Sequence, residues 1–210
     1  MSELVFFHYP LSRARIVHWM LEELGVPYTV RLTNMEKGEH KRPELLAINP
    51  MGKLPTIQHG STVVTEAGAI CAYLADAFPA ANLAPAPGSP ERGTYYRWMF
   101  FGAGCIEPAT IDRLFKRPQV ERPSALGYGS YDDTMNAVEK ALSPGPFILG
   151  ERFSAADVYV GSQLMWGMRM KAIEPRPAFQ KYIDMLMERP AFKRVLAQNE
   201  DYMKQLQPSA

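Results

Sequence analysis

The sequence predicts an α/β domain followed by an all-α domain, and three observations carry that prediction. Residues 1–78 set two short β-rich runs around one helical stripe, then add a hairpin and a second helix. Residues 79–90 shift abruptly to Ala, Pro, Gly and Ser, with Pro79, Pro85, Pro87 and Pro90, as a semi-extended linker does. Beyond it no segment alternates apolar and polar residues, so residues 91–210 read as a helical bundle. A chain of 210 residues is long enough for two domains, each with its own core.

Leu4 to His8 is short and apolar, as a buried strand is, and runs into Tyr9-Pro10-Leu11-Ser12. Ser12 reads as an N-cap, since its hydroxyl can accept a hydrogen bond from a first-turn amide. Ala14, Val17, Leu21 and Leu24 then recur at helical spacing, with Glu22 and Glu23 outside the stripe, until Gly25 and Pro27 end the helix. Tyr28 to Leu32 forms a second strand, giving a right-handed βαβ start. A polar connection, Glu36 to Pro43, leads to the loop Asn49-Pro50-Met51-Gly52-Lys53-Leu54-Pro55. Strands over Thr56 to His59 and Thr62 to Val64 follow, joined at Gly60-Ser61, and then a helix from Glu66 to about Phe78. This order is that of a thioredoxin-like fold.

Past the linker the pattern predicts helices over residues 91–113, 131–142, 155–171, 178–188 and 191–205, the first bent or ended at Pro108. Residues 118–129 form a looser stretch. Ser154-Ala155-Ala156-Asp157 has the form of a capping box with Phe153 as its hydrophobic staple, so Ser154 and Asp157 are expected to serve folding.

Two motifs point to chemistry. Pro55 cannot donate to a sheet ladder, so the residue before it is held out of the strand. A cis Leu54-Pro55 bond would turn the Leu54 main chain sideways, where an extended peptide could pair with it as with a sheet edge. The loop Asn49 to Pro55, followed by Glu66-Ala67-Gly68-Ala69-Ile70, resembles the glutathione transferase pattern Asn-Pro-x-Gly-x-(Val/Leu)-Pro and Glu-Ser-x-Ala-Ile, with Ala67 where that pattern has serine. Gly38-Glu39-His40-Lys41 resembles the corresponding loop of the theta and phi classes, and Phe153-Ser154-Ala155-Ala156-Asp157 the family's capping motif.

The resemblance implies a thioredoxin-like domain, an all-α domain, a homodimer, and glutathione as co-substrate. Glu66 would accept from the γ-glutamyl ammonium, the Ala67 amide would donate to the neighbouring carboxylate, and Leu54 before Pro55 would pair with the cysteinyl main chain. His40, Lys41 and Lys53 would face the glycyl carboxylate. Ser12 resembles the serine of the theta, zeta and phi classes, although Arg15 follows it after two residues where three are usual. Aligned on Arg13-x-Arg15, Tyr9 falls where the alpha, mu and pi classes keep a catalytic tyrosine, so both hydroxyls are candidates for stabilising the thiolate. Thioredoxin-like redox proteins carry Cys-Pro-x-Cys where this chain has Tyr9-Pro10-Leu11-Ser12, which removes self-contained dithiol exchange. Leu11, Phe101, Cys105, Ile106 and Trp166 are candidate walls for a small hydrophobic electrophile. Conjugation of the glutathione thiolate is the expected reaction, with disulfide or peroxide reduction and ligand carriage as its rivals.

Composition agrees with that class. The chain is 47% apolar and 21% charged with a net charge of +1, which gives no electrostatic case for nucleic acid or an anionic membrane as partner. No apolar run approaches the roughly 20 residues of a membrane span, and the opening Met-Ser-Glu-Leu-Val-Phe-Phe does not read as a secretory signal, so a cytoplasmic location is expected. Cys71 and Cys105 have no metal-ligand spacing, so neither a metal site nor a disulfide is expected.

Overall fold

Strand β1 (Leu4–His8) buries Leu4, Phe6 and His8 on one face, and the rest of the first sheet is laid against it. In the computed structural model, which describes residues 3–118 and 120–207, the strand order is β2-β1-β3-β4. β2 (Thr29–Leu32) runs parallel to β1, with Val5 opposite Thr29. β3 (Thr56–His59) and β4 (Thr62–Thr65) form the antiparallel hairpin, His59 opposite Thr62 across a two-residue turn whose Gly60 has φ +60°. The predicted strands match to within one residue at each end. Between β2 and β3 the sequence pattern predicts only a polar connection. The structure has a 3-10 turn, Glu39–Lys41, and a six-residue helix α2 (Pro43–Ile48) that Pro43 opens.

Helix α1 (Ala14–Leu24) is buried well beyond its predicted stripe, for every residue from Ile16 to Leu21 is inaccessible. A helix buried around most of its circumference must be covered from two sides. Helix α3 (Ala67–Ala77) packs on it from one, and α9 (Pro190–Leu206) from the other. α9 presents Ala191, Val195 and Asn199, one position per turn, while Phe192 meets Trp19 edge-on at 5.0 Å. Glu22 and Glu23 bind Arg194 at 2.7 Å and Arg189 at 2.6 Å. By packing, residues to Ala81 and residues from Arg189 onward therefore form one compact unit, and Asn82–Glu188 a second. The expectation of one helical domain over residues 91–210 rests on apolar stripes, which state that a helix is covered but not by what.

The second unit is helical. α4 (Pro90–Phe101) passes into α5 (Glu107–Leu114) through a π-helical turn, Gly102–Ile106. Pro108 was expected to bend or end a helix. It stands instead near the start of α5, just after the wider turn has altered the hydrogen-bond ladder that a proline would break. α6 (Tyr131–Ala141), α7 (Ala155–Arg169) and α8 (Pro177–Met187) complete the bundle. A Cβ on Gly161 of α7 would lie 2.4 Å from Leu186, which is why α7 and α8 approach so closely. Within residues 118–129 the described part includes a 3-10 turn, Pro123–Ala125, and Gln119 lies outside the described residues.

The capping box forms. Asp157 accepts from the Ile148, Ser154 and Tyr182 donors at 2.7, 2.8 and 2.9 Å, and Phe153 meets Phe147 with ring centroids 5.5 Å apart. Burial pushes the Asp157 carboxyl up to about 6 against those donors.

Candidate active site

The loops after β1 and β2 emerge at the same end of a parallel pair, the usual place for a site in such sheets. The first carries Tyr9 and Ser12 into α1. Ser12, half-buried, donates from its hydroxyl to the Tyr9 carbonyl at 2.7 Å and accepts from the Ala14 amide at 3.1 Å. By backbone conformation the residue before the helix is Arg13, not Ser12, yet Ser12 supplies the side-chain acceptor that an N-cap supplies. The Tyr9 phenol donates to Glu36 at 2.9 Å, and burial first, then this carboxylate, pushes its pKa up. Glu36 was no candidate in the sequence: a lone acid in a polar run carries no spacing signal.

The loop from residue 49 to residue 55 is held from inside by Asn49. Its buried amide donates to the Lys53 carbonyl at 3.0 Å and the Thr56 hydroxyl at 3.1 Å, and its oxygen accepts from the Met51 amide. The Leu54–Pro55 bond is cis, and Leu54 lies ahead of β3 rather than in it. Gly52, at φ +53°, leaves no room for a Cβ, which would meet the His40 carbonyl at 2.7 Å. That approach brings the His40-Lys41 turn against this loop. Lys41 donates to the Met51 carbonyl at 2.7 Å, so part of its expected anion-facing role is given to holding the two loops together. The buried Nδ1 of His40 has no hydrogen-bond partner among the described residues, and the Lys53 side chain is exposed.

After the hairpin, Glu66 takes φ +66° and ψ +119° at the start of α3. This lies outside the left-handed helical basin and costs about 1–3 kcal/mol for a residue with a side chain, a strain that tends to collect at functional sites. The Ile70 amide makes the first bond of α3, to the Glu66 carbonyl, so the amides of residues 67–69 sit in the turn where a helix offers unbonded donors to an anion. Glu66 is exposed and Ala67 half-buried.

Among the proposed walls for a second substrate, Leu11 is exposed. In the second unit Phe101, Cys105 and Trp166 are half-buried, and burial pushes the Cys105 thiol up. Ile106 is wholly buried in the second unit, and its apolar character alone does not distinguish a core residue from a wall. No group of three or more His, Cys, Asp or Glu placed to hold a metal occurs among the described residues, nor any helix long and apolar enough to cross a membrane.

A polar cluster that the sequence gave no sign of lies beneath this loop system. The fully buried His8 and His18 are joined by Asn199 of α9: His8 Nε2 donates to the Asn199 oxygen at 2.7 Å, and the Asn199 amide donates to His18 Nδ1 at 3.1 Å. These bonds put a proton on His8 Nε2, and, because His18 Nδ1 accepts, leave His18 neutral with its proton on Nε2. Burial, then the neighbouring His18, lowers His8 to about 3, and burial lowers His18 to about 4.

The family models for the glutathione S-transferase N-terminal and C-terminal domains match residues 12–77 and 109–196. The glutathione S-transferase A of Pleuronectes platessa is 33% identical over 194 residues, which covers 88% of this chain and 85% of that protein. The maleylacetoacetate isomerase maiA of Aspergillus fumigatus is 31% identical over 185 residues, 81% of this chain and 79% of its own. Among solved structures, a glutathione transferase from Phanerochaete chrysosporium in complex with oxidized glutathione superposes with a TM-score of 0.78 at 25% identity, covering 96% of this chain and 98% of that one. A glutathione transferase homolog from Sulfitobacter with bound glutathione gives 0.75 at 25% identity, covering 94% and 99%.

Proposed function

Because this chain belongs to the glutathione S-transferase family, we propose that it binds glutathione as co-substrate and conjugates its thiolate to small hydrophobic electrophiles, with Ser12 stabilising the sulfur anion. The observation that carries the reading is the state of the Ser12 hydroxyl. Its proton rests on the neutral Tyr9 carbonyl and its oxygen accepts from the Ala14 amide at the start of α1. A proton so placed can turn to a thiolate with gain, because a hydrogen bond to an ion is roughly twice as strong as one between neutral groups. The Ala14 amide polarises the hydroxyl meanwhile.

The energetics suffice. Lowering a thiol pKa by about two units from near 8.5 takes about 2.7 kcal/mol. A charge-assisted hydrogen bond of about 1.5–3 kcal/mol and a helix dipole of about 0.3–1 kcal/mol supply that together. The thiolate attacks an electrophilic carbon, the new carbon–sulfur bond forms, and the leaving group departs with its electron pair. The site favours the thiolate over the thiol, so the thiol proton passes to solvent as glutathione binds and no dedicated general base is required. The site's contribution is ionised fraction and position.

The peptide would be held by Glu66 at its ammonium, by the first-turn amides of α3 at the γ-glutamyl carboxylate, and by the main chain of Leu54 beside Pro55. His40 and Lys53, with what remains of Lys41, would face the glycyl carboxylate. Leu11, Phe101, Cys105 and Trp166 are the proposed contacts of the electrophile. We place the activity in the cytoplasm, where glutathione is kept as the thiol, and in a homodimer. A second reading, glutathione-dependent isomerisation, is favoured by the similarity to the maleylacetoacetate isomerase.

The test is a pH titration of the bound thiolate by ultraviolet difference absorbance. In wild type the thiol should titrate well below that of free glutathione, and Ser12→Ala should raise it by one to two units. An unshifted thiol in saturated wild type would leave only a glutathione carrier.

A further inference from the structure

We propose that Glu36 is a positioning residue that holds the Tyr9 phenol out of the competition for the glutathione sulfur, so that Ser12 alone meets it. The inference rests on the transferase reading above and deepens it. Two hydroxyls stand at the end of β1, and each has one proton to donate. That of Ser12 rests on a neutral carbonyl. That of Tyr9 is committed to a carboxylate 2.9 Å away. Transfer from carbonyl to thiolate exchanges a neutral bond for a charge-assisted one, a clear gain. Transfer from carboxylate to thiolate exchanges one charge-assisted bond for another and leaves the carboxylate without its donor, so the phenol stays where it is.

Glu36, although its side chain is exposed, is carried on a backbone fixed from both sides. The Thr33 amide bonds the His8 carbonyl at 2.9 Å, the end of β1 itself. Asn34 receives the Lys37 amide on its side chain at 3.1 Å, while the Asn34 amide donates to Glu39 at 2.7 Å. Gly38, at φ +71°, closes the turn with a bond to the Met35 carbonyl at 3.1 Å. The turn therefore holds the Glu36 backbone beside the end of β1, from which its carboxylate reaches the Tyr9 phenol. The Tyr9 ring is buried, and Glu36 is the partner that takes its hydroxyl proton. Burial and the adjacent carboxylate also keep the phenol protonated.

The experiment titrates the bound glutathione thiol in wild type, Tyr9→Phe, Glu36→Ala and the double variant, with the KM for glutathione measured alongside. Tyr9→Phe should leave the thiol pKa where it is. Glu36→Ala should lower it by about one unit as the released phenol becomes a second donor to sulfur. The double variant should return it to the wild-type value. A rise in Tyr9→Phe would mean that the phenol already serves the sulfur, and would overturn the proposal. So would a fall in Glu36→Ala that persists in the double variant, which is an effect of charge alone. An unchanged thiol in Glu36→Ala with a raised KM would reduce Glu36 to a brace for the loop. These three outcomes leave the transferase reading intact. A wild-type thiol that titrates like free glutathione defeats both.

Discussion

Ser12 and Ser154 both stand just ahead of a helix, and their surroundings make different residues of them. Ser154 immediately precedes α7, is wholly buried, and shares a reciprocal box with Asp157, so every polar atom it offers is answered from within its own unit. Ser12 lies two residues before α1, is half-buried, has no acid across from it, and leaves its proton on a neutral carbonyl. The same hydroxyl at the entry to a helix is a fixed support in one case and a movable donor in the other. What separates them is whether a buried carboxylate has already claimed the amide ends.

The comparison can be broken most severely at Asp157. Asp157→Ala should cost about 3–5 kcal/mol by urea unfolding, since four buried donors lose their acceptor at once. A loss below about 1 kcal/mol would show that the box does not hold α7, and the distinction between the two serines would fall.

Acid acts on the other unit. The folded pKa values of His8 and His18, about 3 and 4, lie below the ordinary 6.5, so the unfolded chain binds protons that the folded chain refuses. Stability from the pair is fully present above pH 6.5 and is lost as pH falls from there through 4 to 3. The loss between pH 7 and pH 5 should be roughly 2 kcal/mol for each histidine. Glu22, which favours the charged form of His18, moderates it, and Arg15, which disfavours both, adds to it. Urea unfolding at a series of pH values checks this, with His8→Asn and His18→Asn expected to flatten the profile. A profile unchanged in both variants would overturn the assignment.

The smallest effect sharpens the comparison most. Ser154→Ala should cost about 1–2 kcal/mol of stability, while Ser12→Ala should cost less than about 1 kcal/mol and be felt in the glutathione thiol instead. Equal stability losses for the two variants would erase the contrast.

What could be seen in the sequence was what is encoded locally. The Leu4 to His8 strand, the Ala14 to Leu24 stripe, the Gly60-Ser61 hairpin and the Ser154 box each declare themselves through spacing or a turn residue, and each stands where it was expected. The Asn49 to Pro55 loop was legible for the same reason. Helix α2 was not: six residues hold less than two turns of pattern, and Pro43 opens it where a breaker was expected. The partners of α9 were out of reach because His8 and Asn199 are 191 positions apart and neither carries a motif. The engagement of Tyr9 by Glu36 depends on where a polar turn folds back, and Ile106 shows that an apolar residue beside a candidate wall is as readily core.

The return of α9 to the first unit gives the chain a particular order of assembly during synthesis. Residues 82–188 interrupt the unit formed by residues to Ala81 and from Arg189, so the middle of the chain leaves the ribosome with all of its own partners in hand while the beginning waits for the end. Until α9 arrives, the far side of α1, with His18 and Trp19, faces solvent uncovered, and the contacts that close it are among the most distant in sequence. The nascent first unit therefore stays open to chaperones and proteases until α9 is translated, and its arrival ends that exposure.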